Sequence, residues 1–146
     1  GAARGMSAAG FLVVRSGAER LGIALASVEE VVDLGVPAPV PARLPAFRGV
    51  VRWRGRHVSV LHLGALFARG APPEARGDTA LVVVLGGTPV ALEVDAVDEV
   101  VEDGGASVGG ASVGGATGVW QVGGSLVTML DVGALAERLA ELKEVG

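Results

Sequence analysis

The sequence predicts an all-β protein made of two tandem small β-barrels, with short helices and one C-terminal helix. Three observations predict it. Apolar residues come in short runs rich in Val and Leu, separated by Gly-containing turns, which is the pattern of strands rather than of long helices. The dipeptides Arg54-Gly55, Gly86-Gly87 and Gly123-Gly124 each sit between two such runs, where a two-residue hairpin turn needs positive φ. A single gapless shift of 69 residues (97 − 28 = 69) aligns the first half of the chain with the second.

Phe11–Arg15 reads as the first strand, with a turn at Ser16–Glu19 and a second strand at Leu21–Leu25. Ser27 precedes Glu30 by three residues, the spacing of a helix capping box, so Val28–Val31 is expected to form one helical turn or a tight bend into a strand. Gly35–Pro45 holds Pro37, Pro39, Pro41 and Pro45 and reads as an extended connector, because proline cannot join a central ladder. Val50–Trp53 and His57–Leu61 form the next hairpin, followed by a short helix or turn at Leu63–Ala68. Arg69–Asp78 is the clearest linker. Leu81–Leu85 pairs with Val90–Val94, and Val119–Val122 with Ser125–Leu130. Between them Gly104–Gly118 is low in complexity, with Ala106–Gly110 repeated verbatim at Ala111–Gly115, and reads as a flexible loop. Asp131 can cap a last helix over 132–144, whose Leu135, Leu139 and Leu142 make one apolar face.

The repeat organises these elements. Val28-Glu29-Glu30-Val31-Val32 matches Val97-Asp98-Glu99-Val100-Val101, Gly49-Val50 matches Gly118-Val119, and Gly64-Ala65-Leu66 matches Gly133-Ala134-Leu135. The expected organisation is one domain over 11–146, with lobes at about 11–68 and 79–133. Residues 1–10 are expected to be an appended remnant before Met6 and a flexible N-terminus. Met6 and the capped final helix suggest a standalone protein rather than a fragment of a larger one.

Composition narrows the function. The net charge of −4, with no long run of one sign, argues against general nucleic-acid binding, which needs a basic field. There is no cysteine, so disulfides and thiolate metal sites are excluded. No apolar stretch is long enough to span a bilayer. His57 and His62 fall on opposite strand faces if the strand runs through, a poor metal pair. Glu29, Glu30, Asp98 and Glu99 lie at equivalent bends, which fits a structural or docking role better than acid–base catalysis. Arg43, Arg48, Arg52, Arg54 and Arg56 cluster around Trp53, as either a solvated face or a contact for an acidic partner. Trp120 falls opposite Val51 in the repeat and is expected in core or groove packing. Neither a nucleophile–base constellation nor a cofactor motif is present, so the chain reads as a non-enzyme without cofactor or metal.

The segment Leu44-Pro45-Ala46-Phe47-Arg48-Gly49-Val50-Val51-Arg52-Trp53-Arg54-Gly55 resembles the stretch "PxFxxGvxNLRG" of the CheW family of bacterial chemotaxis coupling proteins. Val28-x-Glu30-Val31 is similar to its "V-x-E-V", Leu92–Val100 to its "glxVDxVxeV", and Leu126–Leu135 to its closing "lvxlLDxxxLl". The likeness runs from about Phe11 to Leu139. It implies two SH3-like five-stranded β-barrels and a non-enzymatic cytoplasmic scaffold. Its partners would be the cytoplasmic tip of a chemoreceptor, the regulatory domain of a CheA-type kinase and other CheW-like proteins, with membrane association only through those partners. The implied partner-binding set is Val28, Glu30 and Val31 at the groove, Arg54 and Gly55 at the "RG" turn, and Val94 and Val97 in the second-lobe motif. Where the family has Asn and Leu before "RG", this chain has Arg52 and Trp53; the Pro, Asp and Arg of "vPvvDLr" are Ser59, His62 and Gly64. These departures imply a divergent accessory member with altered kinase binding. The alternative class is a small-ligand-binding or enzymatic double barrel with its site in the cleft between lobes.

Overall fold

The computed structural model describes residues 10–41, 44–68, 72–73, 76–102, 106–109 and 116–145. Eleven strands follow in order: β1 (Phe11–Ser16), β2 (Glu19–Ala24), β3 (Val28–Asp33), β4 (Phe47–Trp53), β5 (Arg56–His62), β6 (Thr79–Leu85), β7 (Thr88–Val94), β8 (Ala96–Val101), β9 (Ala106–Gly109), β10 (Ala116–Val122) and β11 (Ser125–Leu130). A 3₁₀ turn at Leu25–Ser27 precedes β3, a short helix at Leu63–Ala68 follows β5, and a C-terminal helix spans Val132–Val145. Of the two expectations for Val28–Val31 the helical turn does not form and the bend into a strand does: a 3₁₀ turn ends at Ser27, and Val28 already starts β3. The three dipeptide turns form, with positive φ at Arg54, Gly55, Gly86, Gly87, Gly123 and Gly124.

The strands make two sheets, ordered β8-β1-β2-β11-β10-β9 and β3-β6-β7-β5-β4. The 69-residue shift maps one order onto the other, since β1, β2, β3, β4 and β5 correspond to β6, β7, β8, β10 and β11. Pair registers follow the same shift. Leu12↔Val100 becomes Leu81↔Val31, and Thr128↔Leu21 becomes Ser59↔Val90. Even the bulge in β8, which skips Asp98, recurs in β3 at Glu29.

The sheets, however, are not the halves 11–68 and 79–133. The hairpin β1–β2 joins β8, β10 and β11, while β6–β7 joins β3, β4 and β5. Each sheet takes its first hairpin from one repeat and its remaining strands from the other, joined by the parallel pairs β2–β11 and β5–β7. Repeat units and sheets are therefore different divisions of the chain. The exchange satisfies the same hydrophobic pattern as contiguous lobes would, so the pattern cannot choose between them.

The exchange explains why β1 and β6 are apolar without alternation. Leu12 and Val14 of β1, with Leu81, Val83 and Leu85 of β6, enter a central core shared by both sheets and both helices. Phe11 and Val13 face a second cluster with Val101, Val122 and Val127. Ala80 faces a third with Val58, Val60 and Ala91. Strands buried on both faces read as continuous apolar runs. The central core also takes Leu135, with Leu139 and Leu142 packed against it. Asp131 caps that helix as expected, its Oδ2 accepting the Ala134 N–H at 2.9 Å. Arg138 then donates to the Leu66 and Phe67 carbonyls, tying the C-terminal helix to the end of the short one.

Two expectations about loops change. Gly10 is not part of a flexible tail: it is buried and its carbonyl accepts the Leu25 N–H at 3.0 Å, while 1–9 lie outside the described residues. Within Gly104–Gly118, residues 106–109 form β9 on the outer edge of β10, 116–118 begin β10 itself, and 104–105 and 110–115 lie outside the described residues. The equivalent place in the other half is the proline connector, where Ala38 alone bridges Val50. Pro37 and Pro39 flank Ala38 and have no N–H to extend the pairing, whereas Ala106–Gly109 contains no proline.

Candidate protein interaction site

β3 and β4 stand at opposite ends of their sheet's strand order. They nevertheless meet. Glu30 Oε1 on β3 accepts the Trp53 Nε1–H at 3.0 Å and an Arg54 Nη2–H at 3.2 Å. The sheet must therefore curl until its ends touch, which closes the barrel and removes its open edges. The same seam carries two backbone bonds, Ala38 N–H to Val50 O and Val50 N–H to Ala38 O, both 2.9 Å. Gly49 is required beside them: its φ is +133° and a Cβ there would lie 2.5 Å from the Ala38 carbonyl oxygen. Arg54 itself sits at φ 48° in the turn before Gly55, and its guanidinium stacks 4.6 Å from the Trp53 ring centroid.

Of the seven residues read from the sequence as partner-binding, the fold brings Glu30 and Arg54 into direct contact, with Gly55 exposed beside them. Val31 stands 45% exposed on the same strand as Glu30. Val28 and Val97 are half-buried equivalents that both pack on the central core. Val94 is fully buried there, so it has no surface to offer a partner. The sequence places Trp53 at the centre of a basic cluster and at the Leu of the related motif; its bond to Glu30 spans a seam that strand order hides.

The basic cluster also divides. Arg52, Arg54 and Arg56 are exposed, and Arg43 lies outside the described residues. Arg48 is instead buried against Glu93, with Nε–Oε1 2.9 Å and Nη2–Oε2 3.3 Å. Glu93 Oε2 also accepts the Gly77 N–H at 2.8 Å. The second acidic bend is neutralised within the chain: Arg15 reaches Asp98 at 2.9 Å, and Arg20 reaches Asp98 at 3.5 Å and Glu99 at 3.1 Å.

His62 occupies the place equivalent to Asp131 and does the same work. The Ala65 N–H donates to its Nδ1 at 3.0 Å, capping the short helix. That bond needs an unprotonated Nδ1. Burial holds the imidazole below its usual pKa, and Arg48 adds to this, against Glu93 and Asp95. His57 is exposed, and among the described residues no group of three or more His, Cys, Asp or Glu could hold a metal ion. At Gly64 a Cβ would lie 2.5 Å from Ser16 Oγ, a buried hydroxyl with no hydrogen-bond partner among the described residues, so a larger side chain here would have to displace Ser16.

The central core lies between the sheets. An apolar groove of about 800 Å³ opens at its margin, between Phe47, Leu61, Leu85 and Val90 on one side and Leu139 and Leu142 of the C-terminal helix on the other. None of the seven candidate residues lines it. No helix among the described residues is long and apolar enough to cross a membrane.

Comparison with known proteins gives two positive findings. The family described as CheW-like domain matches residues 10–140. Among solved structures, the scaffolding protein TtCheW from Thermoanaerobacter tengcongensis superposes with a TM-score of 0.73 at 20% identity, over 87% of this chain and 91% of that one. At that identity the likeness speaks for the fold, two small barrels and a C-terminal helix. No curated protein matches.

Proposed function

The chain belongs to the CheW-like domain family, a family of scaffold and adaptor proteins, and from that premise we propose that it is a non-enzymatic cytoplasmic adaptor coupling chemoreceptors to a CheA-type histidine kinase. The observation that carries the site is the Glu30–Trp53–Arg54 seam with Val31 exposed on the same strand. An Arg, a Trp and an apolar side chain on a rigid strand end are what a protein partner uses as anchors. Strand β3 carries the receptor-side surface: the apolar face of a receptor-tip helix docks on Val31, on the face of the strand opposite Glu30. The departures at Ser59, His62 and Gly64 alter the kinase side and make the chain a divergent accessory adaptor.

The test uses Val31→Glu and Arg54→Glu, each assayed by calorimetry against a receptor-tip hairpin and a kinase regulatory domain separately. Val28 is the wrong position to charge, because it packs on the central core. Val31→Glu places a charge in a desolvated contact and costs about 2–3 kcal/mol, or roughly 30–150-fold in receptor affinity. Arg54→Glu weakens binding more at low salt than at high salt, as a partly exposed charge contact should. If both variants stay folded and bind both partners like the parent, the seam is not the interface.

A further inference from the structure

The two barrel interiors are equivalent in register but not in filling. In the first, Trp120 and Met129 pack against a cluster containing Phe11, Val13, Val122 and Val127, and the Phe11 and Trp120 rings meet edge to face at 5.7 Å. The 69-residue shift puts Ala80 at the place of Phe11, Val51 at that of Trp120 and Val60 at that of Met129. Three large side chains are thus replaced by smaller ones. Trp53, at the place of Val122, is the large addition, and its Nε1–H is committed to Glu30 at the seam. A cavity of about 280 Å³ remains, lined by Val32, Val51, Trp53, Val58, Val82 and Ala91, with Asp33, Gly35 and Arg52 also on its wall. Asp33 and Arg52 are exposed, which marks the solvent end.

We propose that this cavity is a binding site for a small planar aromatic molecule of indole size, which takes the place that the Trp120 ring fills in the other barrel. The shape argument is internal to the chain: the same strand register already holds an indole ring in the first barrel. The size argument is general, since apolar cavities of roughly 150 Å³ admit benzene. The aliphatic walls supply desolvation, Trp53 an aromatic surface, and the Asp33–Arg52 end keeps a polar ring edge in water. The site shares Trp53 with the seam, but its other walls lie inside one barrel, so indole binding is read at those methyls and not through partner affinity.

The probe is indole itself, titrated into the full chain with methyl groups labelled for NMR. Saturable shifts confined to the methyls lining the cavity, those of Val32, Leu34, Val51, Val58, Val82 and Ala91, are expected. Val51→Trp restores the side chain of the other barrel and lowers the affinity more than about tenfold, with the methyl spectrum otherwise dispersed as in the parent. Val51→Phe, a smaller filling, gives the same result if the Trp variant does not fold. Absence of saturable shifts at these methyls, or a folded filled variant that binds indole as well as the parent, overturns the proposal.

Discussion

The two acidic bends share one sequence pattern, one bulge and one register, yet their carboxylates have different neighbours. At Asp98 and Glu99 the charges are met by Arg15 and Arg20 of the adjoining hairpin. At the equivalent bend those two arginines are replaced by Val84 and Pro89. Glu29 makes no ion pair among the described residues, and Glu30 is held from across the seam by Trp53 and Arg54. Val31 is 45% exposed and its equivalent Val100 51%, so the bends differ in the partners of their carboxylates and in Val84, 39% exposed, rather than in this valine. The backbone is indifferent to this change, so the strand register does not depend on these charges. What depends on them is which side chains meet the carboxylates: two arginines of the adjoining hairpin at one bend, Trp53 and Arg54 across the seam at the other.

The largest expected effect tests a second asymmetry, the buried Arg48–Glu93 pair, whose carboxylate partner stands where the other barrel has Ala24. Arg48→Ala leaves the 2% exposed Glu93 side chain with the Gly77 N–H and no countercharge from that guanidinium, and costs about 3–5 kcal/mol in urea unfolding. Arg48→Met with Glu93→Leu recovers most of that loss, because an apolar pair avoids desolvating two charges. A loss below about 1 kcal/mol for Arg48→Ala would place this pair with the exposed ones, and that asymmetry would vanish. The next effect comes from the aromatic barrel. Trp120→Val removes the ring packed on Phe11 and costs about 2–4 kcal/mol by the same measurement.

The repeat itself was legible in the sequence, down to Asp131 as a cap and Leu135 as core, because strand patterns, turns and helix ends leave local marks. The hairpin exchange was not, because a register identifies equivalent residues without naming which copy they pair with. Strand β9 was hidden by the glycines around Ala106–Gly109, which read as loop although no proline forbids pairing there. For the site, Glu30 and Arg54 were found by motif, but their contact with Trp53 depends on a barrel seam. Arg48 looked like its exposed neighbours in sequence, and only its partner 45 residues on, Glu93, distinguishes it. His62 carried a usable signal: its repeat partner Asp131 is a helix cap, and an imidazole Nδ1 can accept the same N–H.

That substitution makes one cap sensitive to pH and leaves the other as a carboxylate. His62 has its pKa lowered in the fold, chiefly by burial. Its contribution to stability is therefore present above the unfolded value of 6.5 and is lost as pH falls below that and through the folded value. His62→Asn keeps an acceptor for the Ala65 N–H and removes the titration, so the parent loses more stability than the variant between about pH 7.5 and pH 5. His62→Ala costs about 0.5–2 kcal/mol at neutral pH, and Asp131→Ala a similar amount at the other helix. Melting curves at several pH values check both. Parallel profiles for His62→Asn and the parent would remove His62 as the pH-sensitive cap.

The smallest stability effect gives the sharpest comparison of the two bends. Arg15 is 55% exposed, and Arg20 still lies 3.5 Å from Asp98 when Arg15 is gone. Arg15→Ala should therefore cost only about 0.2–1 kcal/mol, less at high salt. Arg54→Ala removes an exposed partner of Glu30 while the Trp53 Nε1–H remains, and should cost a similar amount. Stability alone thus cannot separate the bends. Binding can: if the first bend is the interface, Arg54→Ala weakens the receptor-tip complex and Arg15→Ala leaves it unchanged, at equal fold stability. Calorimetry of the two variants beside urea titrations reads both quantities on the same samples. Equal losses of binding would mean that the neutralised bend is part of the interface as well, and that the two carboxylate environments differ without functional consequence.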